Sequence, residues 1–169
     1  ADEVFVVPIK RQADIVVTIA LEPNDIDLYQ SQKALDNGKT ALKDGGVIIL
    51  VSACRSGVGS QAFLDLLSSE PTCKAVIDKL DREYKLGYHK AGKMAEIGVK
   101  AQMWAVTPLD KNLIRKAHMR PFESVSEALK AALEEKGPAA TVTFIMDGGM
   151  TIPRLMPPSM MKVTVAAGP

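Results

Sequence analysis

Residues 14–35 read DIVVTIALEPNDIDLYQSQKAL, and this stretch gives the clearest indication of the fold class. Its first seven residues form a nearly continuous apolar run, which is typical of a strand buried on both faces of a parallel sheet. A short turn containing Pro23 and Asn24 follows, and from Asp25 onward the apolar residues recur at helical spacing. A strand joined directly to a helix is the unit from which α/β proteins are built, so the stretch predicts that class.

Similar strand-like runs lie at residues 46–53, 101–107 and 140–146, with a shorter one at 4–7. Helical patterns separate them, which predicts a three-layer, open and mostly parallel sheet with helices on both faces, a Rossmann-like arrangement. We expect residues 1–153 to form a single α/β domain. Residues 154–169 are rich in Met and Pro, and we expect a tail there with a short edge strand at 163–165. The start, Ala1-Asp2-Glu3, lacks an initiator Met and signal-peptide features, which indicates a processed or excised N-terminus.

Periodicity and capping signals predict the helices. The first is expected over about 25–42, with Asp25 as its N-cap and Gly45-Gly46 after its end. The most distinct start is Ser124-Val125-Ser126-Glu127, a capping box that opens a helix ending before Gly137-Pro138. Three more helices are expected: one ending near 67, one that begins at Glu70-Pro71 and covers about 75–84, and one around 89–97.

The composition limits the classes of function. Of the 169 residues, 47% are hydrophobic, which is enough for a packed core. A net charge of +1 and 5% aromatic residues argue against a nucleic-acid-binding surface, which needs a concentrated basic face or stacking platforms. No apolar run is long enough to span a membrane. Cys54 and Cys73 lack the spacing of a metal site or a disulfide framework, so we expect reduced thiols and a cytoplasmic location.

One face of the first predicted helix carries polar side chains. At 100° per residue, Tyr29, Gln30 and Lys33 share a stripe, and the opposite side is apolar: Leu28, Leu35 and Leu42. A phenol, an amide and an ammonium together suit the recognition of a small carboxylate or phosphate. The helix N-terminus is expected to add a partial positive charge. An ordinary solvated helix face explains the same spacing, so periodicity alone leaves both interpretations open.

Two loops at predicted strand ends are candidates for lining a cleft. In the loop 54–60, Gly57 and Gly59 would let the backbone bend tightly and expose amide donors. The signal is weak, because the loop lacks the third glycine of a dinucleotide fingerprint and the Gly-Lys pair of a P-loop. Asp147 and Gly148 follow the last predicted strand of the domain and either line the same cleft or form a simple turn.

The remaining chemically reactive residues give weaker evidence for a functional site. His89 begins a predicted helix and is a candidate for lining the cleft, although a structural role fits equally well. Cys54 is expected to be a small buried thiol rather than a nucleophile, because a cysteine phosphatase loop needs an Arg where Ser60 stands. His89 and His118 are the only histidines and no metal-ligand spacing is present, so no metal site is predicted.

Several of these segments together resemble the C-terminal domain of the nickel-dependent lactate racemase family, over about residues 4–153. The most specific element is Asp-Ile-x-Leu-Tyr-Gln-x-x-Lys at 25–33. The individually weaker elements are the strand at 45–51, the loop Gly57-Val58-Gly59 and the segment Gly87-Tyr88-His89-Lys90-Ala91.

The resemblance implies a fold and a reaction. Members of that family have two α/β domains with the site between them, and hold a nickel–pincer nucleotide derived from nicotinic acid and tethered to a lysine. They interconvert the enantiomers of a 2-hydroxy acid by passing hydride to the cofactor and back on the other face. By resemblance, Lys33 would hold the substrate carboxylate, and Gln30 and Tyr29 would assist by hydrogen bonds.

The chain also departs from the family. It has Ala20-Leu21-Glu22 where members commonly have glycines before the Pro, which alters the turn and the pocket wall. The family's N-terminal domain, which carries the tethering lysine, the nickel-ligating histidine and the acid/base histidines, has no counterpart here. We therefore expect no catalytic residue, metal or cofactor on this chain alone, and a missing N-terminal domain as its partner. Two alternatives stay open: a stand-alone α/β module for a small anionic metabolite or nucleotide, and an assembly domain whose cleft a second copy covers in a homo-oligomer.

Overall fold

The computed structural model describes residues 4–160. Its strands are β1 Phe5–Ile9, β2 Ala13–Ile19, β3 Leu42–Val51, β4 Gln102–Val106, β5 Arg120–Phe122, β6 Val142–Ile145 and β7 Thr151–Leu155. Its α-helices are α1 Leu28–Gly38, α2 Gln61–Ser68, α3 Cys73–Leu80, α4 Tyr88–Lys100, α5 Lys111–Lys116 and α6 Val125–Lys136. Short 3₁₀ turns lie at Lys39–Ala41 and Pro158–Met160. The predicted strand at 163–165 lies outside the described residues.

Five strands form a parallel sheet in the order β5-β4-β3-β2-β6. Alternate residues of each strand face opposite sides, and both sides are apolar. Val16 and Ile48 belong to one core, whereas Val17 and Ile49 belong to the other, and none of the four is exposed. This two-sided burial explains the continuous apolar runs in the sequence.

Helices cover both faces of the sheet. Buried residues of α1, α2, α3, α4 and α5 pack into the larger core, and α6 packs into the smaller core beside Trp104 through Ala128 and Ala132. The predicted α/β fold class is confirmed. Among residues 4–160, no helix has the length and apolar character needed to cross a membrane.

The sheet has a switch point at β2. From β2 the chain continues through β3, β4 and β5 on one side, and then returns to place β6 on the other side. Ligands of open α/β sheets bind at the carboxyl ends of the strands beside such a point. The segments that follow β2, β3 and β6 therefore define where a ligand site is expected.

A second, two-stranded parallel sheet joins β1 to β7, with Phe5 opposite Thr151 and Ile9 opposite Leu155. The sequence did not predict β7, because Pro153 lies in its middle. Proline occurs mostly in edge strands, and β7 is one. Arg154 and Leu155, assigned above to the tail, belong to this strand.

The first helix differs from its prediction at both ends. Its N-cap is Asp27, whose carboxylate accepts a hydrogen bond from the Gln30 amide at 2.7 Å. Asp25 instead accepts hydrogen bonds from the Arg55 guanidinium at 2.7 Å, so its assignment as the cap was wrong. The helix ends at Gly38, and Gly45-Gly46 lies inside β3, near the point where the register with β2 shifts.

The helix predicted from Glu70-Pro71 begins later than expected. Its first helical residue is Cys73, and the Thr72 hydroxyl accepts a hydrogen bond from the Ala75 amide at 3.2 Å. A threonine hydroxyl satisfies an open helix amide, whereas proline at a first-turn position only avoids losing one, so the hydroxyl fixes the start.

Candidate functional site

The predicted polar stripe of α1 lies near the carboxyl ends of the strands, because α1 starts just after β2. Tyr29, Gln30 and Lys33 are partly exposed, whereas Leu28 and Leu35 are completely buried. The amphipathic division predicted from periodicity is confirmed for Leu28 and Leu35, whereas Leu42 was wrongly placed on this helix and is the first residue of β3. Within residues 4–160 the Tyr29 hydroxyl and the Lys33 ammonium make no hydrogen bond, so both remain available for a ligand.

The start of α4 lies against this stripe and adds residues that the sequence did not assign to it. Lys90 Nζ donates to the backbone oxygen of Tyr29 at 2.9 Å and to Gln30 Oε1 at 3.1 Å. The same ammonium lies 4.1 Å from the centroid of the Tyr29 ring, a cation–π distance. The His89 ring meets Tyr29 edge-on at 6.5 Å, while Phe63 of α2 packs edge-on against it at 5.6 Å. We call Tyr29, Gln30, Lys33, His89, Lys90 and Lys93 the α1/α4 surface.

The α1/α4 surface is positively charged. Burial lowers the pKa of Lys90; Asp27 opposes this shift, and the neighbouring ammoniums of Lys33 and Lys93 add to it. Lys33 and Lys93 thus both lie close enough to Lys90 to disfavour its charge, and a bound anion would offset that effect.

Asp36 offsets part of this charge. It accepts hydrogen bonds from Lys39 at 2.6 Å and Lys93 at 2.8 Å. Burial alone would raise the pKa of Asp36, but the bonds to the two lysines outweigh it and lower the pKa. Asp36 therefore stays ionised and partly compensates Lys93. Lys33 is partly exposed and makes no ion pair among the described residues.

The N-terminus of α1 does not contribute free amides, contrary to the sequence-based expectation. The Leu28 amide donates to the Gly57 oxygen at 3.1 Å, and the Tyr29 amide donates to the Val58 oxygen at 3.0 Å. The Gln30 amide donates to Asp27, as described above. Because carbonyl and carboxylate oxygens already occupy these donors, anion attraction at this surface comes from side-chain ammoniums and not from the end of α1.

The glycines of the 54–60 loop allow the backbone shape that places the Gly57 and Val58 oxygens at the N-terminus of α1. Gly57 and Gly59 have φ of +81° and +84°, which side chains rarely tolerate. A Cβ at Gly59 would overlap the Asp27 carboxylate, whereas one at Gly57 would meet open space. The structure thus gives the loop a capping role, while its predicted role in lining a cleft stays a prediction.

Asp147 and Gly148 lie farther along α1. The Gly148 amide donates to the Ile19 oxygen at 2.7 Å, and its own oxygen accepts from Asn37 Nδ2 at 2.8 Å. Asn37 is eight residues beyond Tyr29, about 12 Å along the helix. The loop therefore contacts the second half of α1, and Gly149 also lies against Asn24 in the turn before that helix; its role in lining a cleft stays a prediction. One oxygen of Asp147 is buried without a hydrogen-bond partner among residues 4–160.

The contacts of His118 and Cys54 indicate structural roles for both residues. His118 bonds to the Leu67 oxygen through Nε2 at 2.7 Å. Cys54 is 3% exposed and lies beside the buried pair of Ser31 and Ser52, whose hydroxyl oxygens are 2.7 Å apart. Its burial agrees with the predicted inert thiol. Within residues 4–160, no group of three or more His, Cys, Asp or Glu side chains lies close enough to hold a metal ion.

Comparison with known proteins assigns the chain to a family. Residues 9–152 match the family described as lactate racemase C-terminal domain. The chain belongs to this family. Its similarity to the lactate racemase of Lactiplantibacillus plantarum is 31% identity over 131 residues, which is 75% of this chain and 31% of that protein. Its similarity to the lactate racemase of Thermoanaerobacterium thermosaccharolyticum is 31% identity over 151 residues, 85% of this chain and 35% of that protein.

A solved structure supports the assignment of this chain to the lactate racemase C-terminal domain family. The apoprotein of the lactate racemase from Thermoanaerobacterium thermosaccharolyticum superposes with a TM-score of 0.81 and 28% identity, over 86% of this chain and 36% of that one. The chain spans about a third of the length of the curated relatives it matches.

Proposed function

We propose that this chain is the part of a nickel-pincer-dependent 2-hydroxy-acid racemase or epimerase that faces substrate and cofactor, and that it is inactive without the N-terminal domain. The observation that carries the proposal is the α1/α4 surface. It presents Lys33, Gln30 and Tyr29 at the carboxyl edge of the sheet, in a chain that belongs to the lactate racemase C-terminal domain family.

Each side chain has a distinct task in this proposal. The Lys33 ammonium pairs with the substrate carboxylate, and Gln30 and Tyr29 donate hydrogen bonds to oxygens of the ligand. Lys90 and Lys93 raise the positive potential around Lys33, which favours an anion over a neutral molecule. These residues bind and orient, and the groups that transfer protons are expected on the N-terminal domain.

The α1/α4 surface fits the anionic parts of a nucleotide cofactor. Its donors are ammonium, amide and phenol groups, which suit phosphate or carboxylate oxygens, and the described residues offer no cluster of metal ligands. When bound, the nickel-pincer nucleotide would supply the acceptor for the substrate hydride. This chain would contribute the wall that holds the substrate's carboxylate in place.

A partner domain is supported by the length of the relatives and by exposed surface. The lactate racemases in the comparison are about three times as long as the matched region. In β1, Phe5 is 58% exposed and Val6 is 47% exposed, which is unusual for parallel strands. We propose that the N-terminal domain covers the exposed side of the β1/β7 strand pair. We also assign the protein to the cytoplasm, in keeping with its two free cysteines, Cys54 and Cys73.

The test uses the complete protein with its cofactor. Lys33→Ala should lower kcat/KM for racemisation of a 2-hydroxy acid by about 10- to 100-fold, since a hydrogen bond to a charged group contributes about 1.5–3 kcal/mol. Racemisation is followed by chiral chromatography. Lys130→Ala is the matched control, because Lys130 is an exposed lysine on α6, on the opposite face of the sheet. Unchanged turnover of Lys33→Ala would reject the role of Lys33.

The same lysines also favour a second candidate, a stand-alone module that binds a small anionic metabolite or nucleotide. Titration calorimetry of the isolated chain with lactate and with nucleotides separates the two. Micromolar affinity without any N-terminal domain supports the module, whereas no heat at millimolar ligand excludes it. Light scattering of the same sample tests the assembly alternative, which requires a homo-oligomer.

A further inference from the structure

Lys90 is a partly buried lysine of the α1/α4 surface, and both hydrogen bonds of its ammonium go to residues of α1. Its Nζ reaches the Tyr29 backbone oxygen at 2.9 Å, Gln30 Oε1 at 3.1 Å and the Tyr29 ring centroid at 4.1 Å. A lysine ammonium has three N–H donors and no acceptor. The Lys90 ammonium therefore donates to one backbone oxygen and one side-chain oxygen, and its charge lies over the Tyr29 ring.

The contact with Gln30 decides which way the carboxamide faces. A carboxamide has an accepting oxygen at one end and a donating nitrogen at the other, and networks of hydrogen bonds distinguish the two. An ammonium can only donate, so the end that meets Lys90 must be the oxygen. The Gln30 Nε2 group makes no hydrogen bond within residues 4–160, and its N–H donors are left for a ligand.

We propose that Lys90 is a positioning residue of the site: by holding Gln30 Oε1, it makes Gln30 a donor toward the ligand. This rests on the proposed function for the identity of the ligand. Lys33 and Gln30 then offer only donors, so the ligand must present only acceptor oxygens to them. A carboxylate with an adjacent 2-hydroxy or 2-oxo oxygen fits this requirement, whereas the corresponding 2-hydroxy amide places N–H donors against donors and is rejected.

The burial of Lys90 agrees with this role. Desolvation already lowers its pKa, and the nearby charges of Lys33 and Lys93 add to the effect. Two oxygen acceptors and the face of an aromatic ring compensate the partly buried ammonium. Removing the ammonium would therefore free the carboxamide to rotate, and the oxygen of Gln30 would face the anion in part of the population.

The first experiment observes Gln30 directly in the 169-residue chain. The side-chain Nε2 resonance of Gln30 is assigned by its loss in Gln30→Leu, and its mobility is measured by the heteronuclear NOE. The wild-type group is expected to be as rigid as the backbone of α1, and Lys90→Met should make it mobile. Lys93→Met, one turn along α4, is the control: Lys93 makes no hydrogen bond to Gln30, so this variant should leave the mobility of the Gln30 Nε2 group unchanged. Equal mobility of Gln30 in the wild type and Lys90→Met overturns the proposal.

The second experiment measures KM and kcat of the complete protein with its cofactor. Lys90→Met should raise KM for the 2-hydroxy acid about tenfold and change kcat less, since a neutral or charge-assisted hydrogen bond is lost on binding. In a Gln30→Leu background the same change should have a clearly smaller effect, because the part that acts through Gln30 is already lost and only the contribution of Lys90 to the positive potential remains. Fully additive effects overturn the proposal, and a thermal melt checks that each variant is folded.

An isosteric exchange tests the donor itself. Gln30→Glu keeps the length of the side chain but places an oxygen where Nε2 stood, so it should raise KM more than Gln30→Leu does. A Gln30→Glu enzyme that binds the acid as well as the wild type overturns the proposal. If the complete protein racemises no 2-hydroxy acid, the proposed function fails, while the NMR comparison still decides whether Lys90 orients Gln30.

Discussion

The five-stranded sheet and the β1/β7 pair are both parallel and both rich in apolar residues, but their surroundings differ. In β2, Val16 and Val17 have no exposed surface, whereas Phe5 and Val6 of β1 keep 58% and 47% of theirs. Pro153 of β7 is buried where that strand packs against α1 and the 3₁₀ turn at Lys39–Ala41. The outer side of the pair has no cover within residues 4–160.

The difference shows what an apolar run encodes. It specifies a strand, but the cover of that strand depends on the connection that follows. Consecutive strands of the larger sheet from β2 to β6 are joined by helices that fold back onto it, as parallel crossovers normally do. The connection between β1 and β7 is the entire five-stranded domain, which packs mainly on itself. The same substitution should therefore change the free energy of unfolding by different amounts in the two sheets.

The largest difference is expected from a matched truncation in the two sheets. Val16→Ala leaves a cavity in the core and should lower the free energy of unfolding by about 2–3 kcal/mol. Val6→Ala removes the same atoms from an exposed strand and should cost less than about 1 kcal/mol. Urea unfolding of the chain measures both. Equal losses would mean that the β1/β7 pair is part of the same cooperative core.

A smaller effect is expected at the junction between the two sheets. The loop from β6 to β7 contains Gly148, where a Cβ would overlap the Thr18 hydroxyl and press on Ala34. Gly148→Ala should destabilise the chain by about 1–2 kcal/mol through overpacking. Gly57→Ala is the control for steric space, because its Cβ would meet nothing within 4 Å and only the backbone strain at φ +81° remains. The same urea experiment compares the two, and no loss in Gly148→Ala would show that the loop can move away from β2.

The smallest effect is expected from a charged group that ties the larger sheet together. Lys43, with its hydrogen bond at 2.9 Å, and then the backbone and side chain of Thr141, at 2.8 Å each, hold the pKa of Asp14 well below its usual range. A depressed carboxyl pKa stabilises the fold fully above the unfolded value of about 3.9. That contribution is lost as pH falls below this value toward the folded pKa.

The measurement compares urea midpoints of the wild type and Asp14→Asn as a function of pH. The two midpoints should differ most near neutral pH and converge as the pH falls below about 4. The difference should be small because the Lys43 partner is exposed to solvent. A constant difference at every pH would show that lost hydrogen-bond geometry, and not charge, accounts for the effect.

Much of the fold follows from local sequence. Burial on both faces keeps the runs of β2, β3 and β4 apolar, which makes them recognisable in the sequence, and Ser124 caps α6 as its motif predicts. The run of β6 is also apolar, although β6 is an edge strand in which Phe144 is half exposed. The strand β5 was missed because it has only three residues and contains Pro121. The cap of α1 was assigned to the wrong aspartate, since the choice between Asp25 and Asp27 depends on Arg55, thirty residues farther along the chain.

In the candidate site too, some residues follow from local sequence and others depend on contacts between distant parts of the chain. Periodicity alone places Tyr29, Gln30 and Lys33 on one face, and the structure agrees. Lys90 joins them through contacts that span sixty-one residues, which no local pattern reports. Its signal in the sequence is the segment beginning Gly87-Tyr88-His89-Lys90, in which His89 alone has the character of a candidate ligand-binding residue. The part of these side chains in binding substrate stays a prediction until Lys33 is tested.

The sealed end of α1 has a consequence for engineering. A helix whose backbone amides grip an anion cannot be changed without moving the backbone, so its preference for charge is fixed by the fold. Here the Gly57 and Val58 carbonyls accept hydrogen bonds from the first amides of α1, so the positive charge of this surface comes from side chains that can be exchanged singly. If the proposed function holds, replacing Lys33 and Lys90 with neutral residues of similar length should weaken binding of anions without moving the backbone of α1.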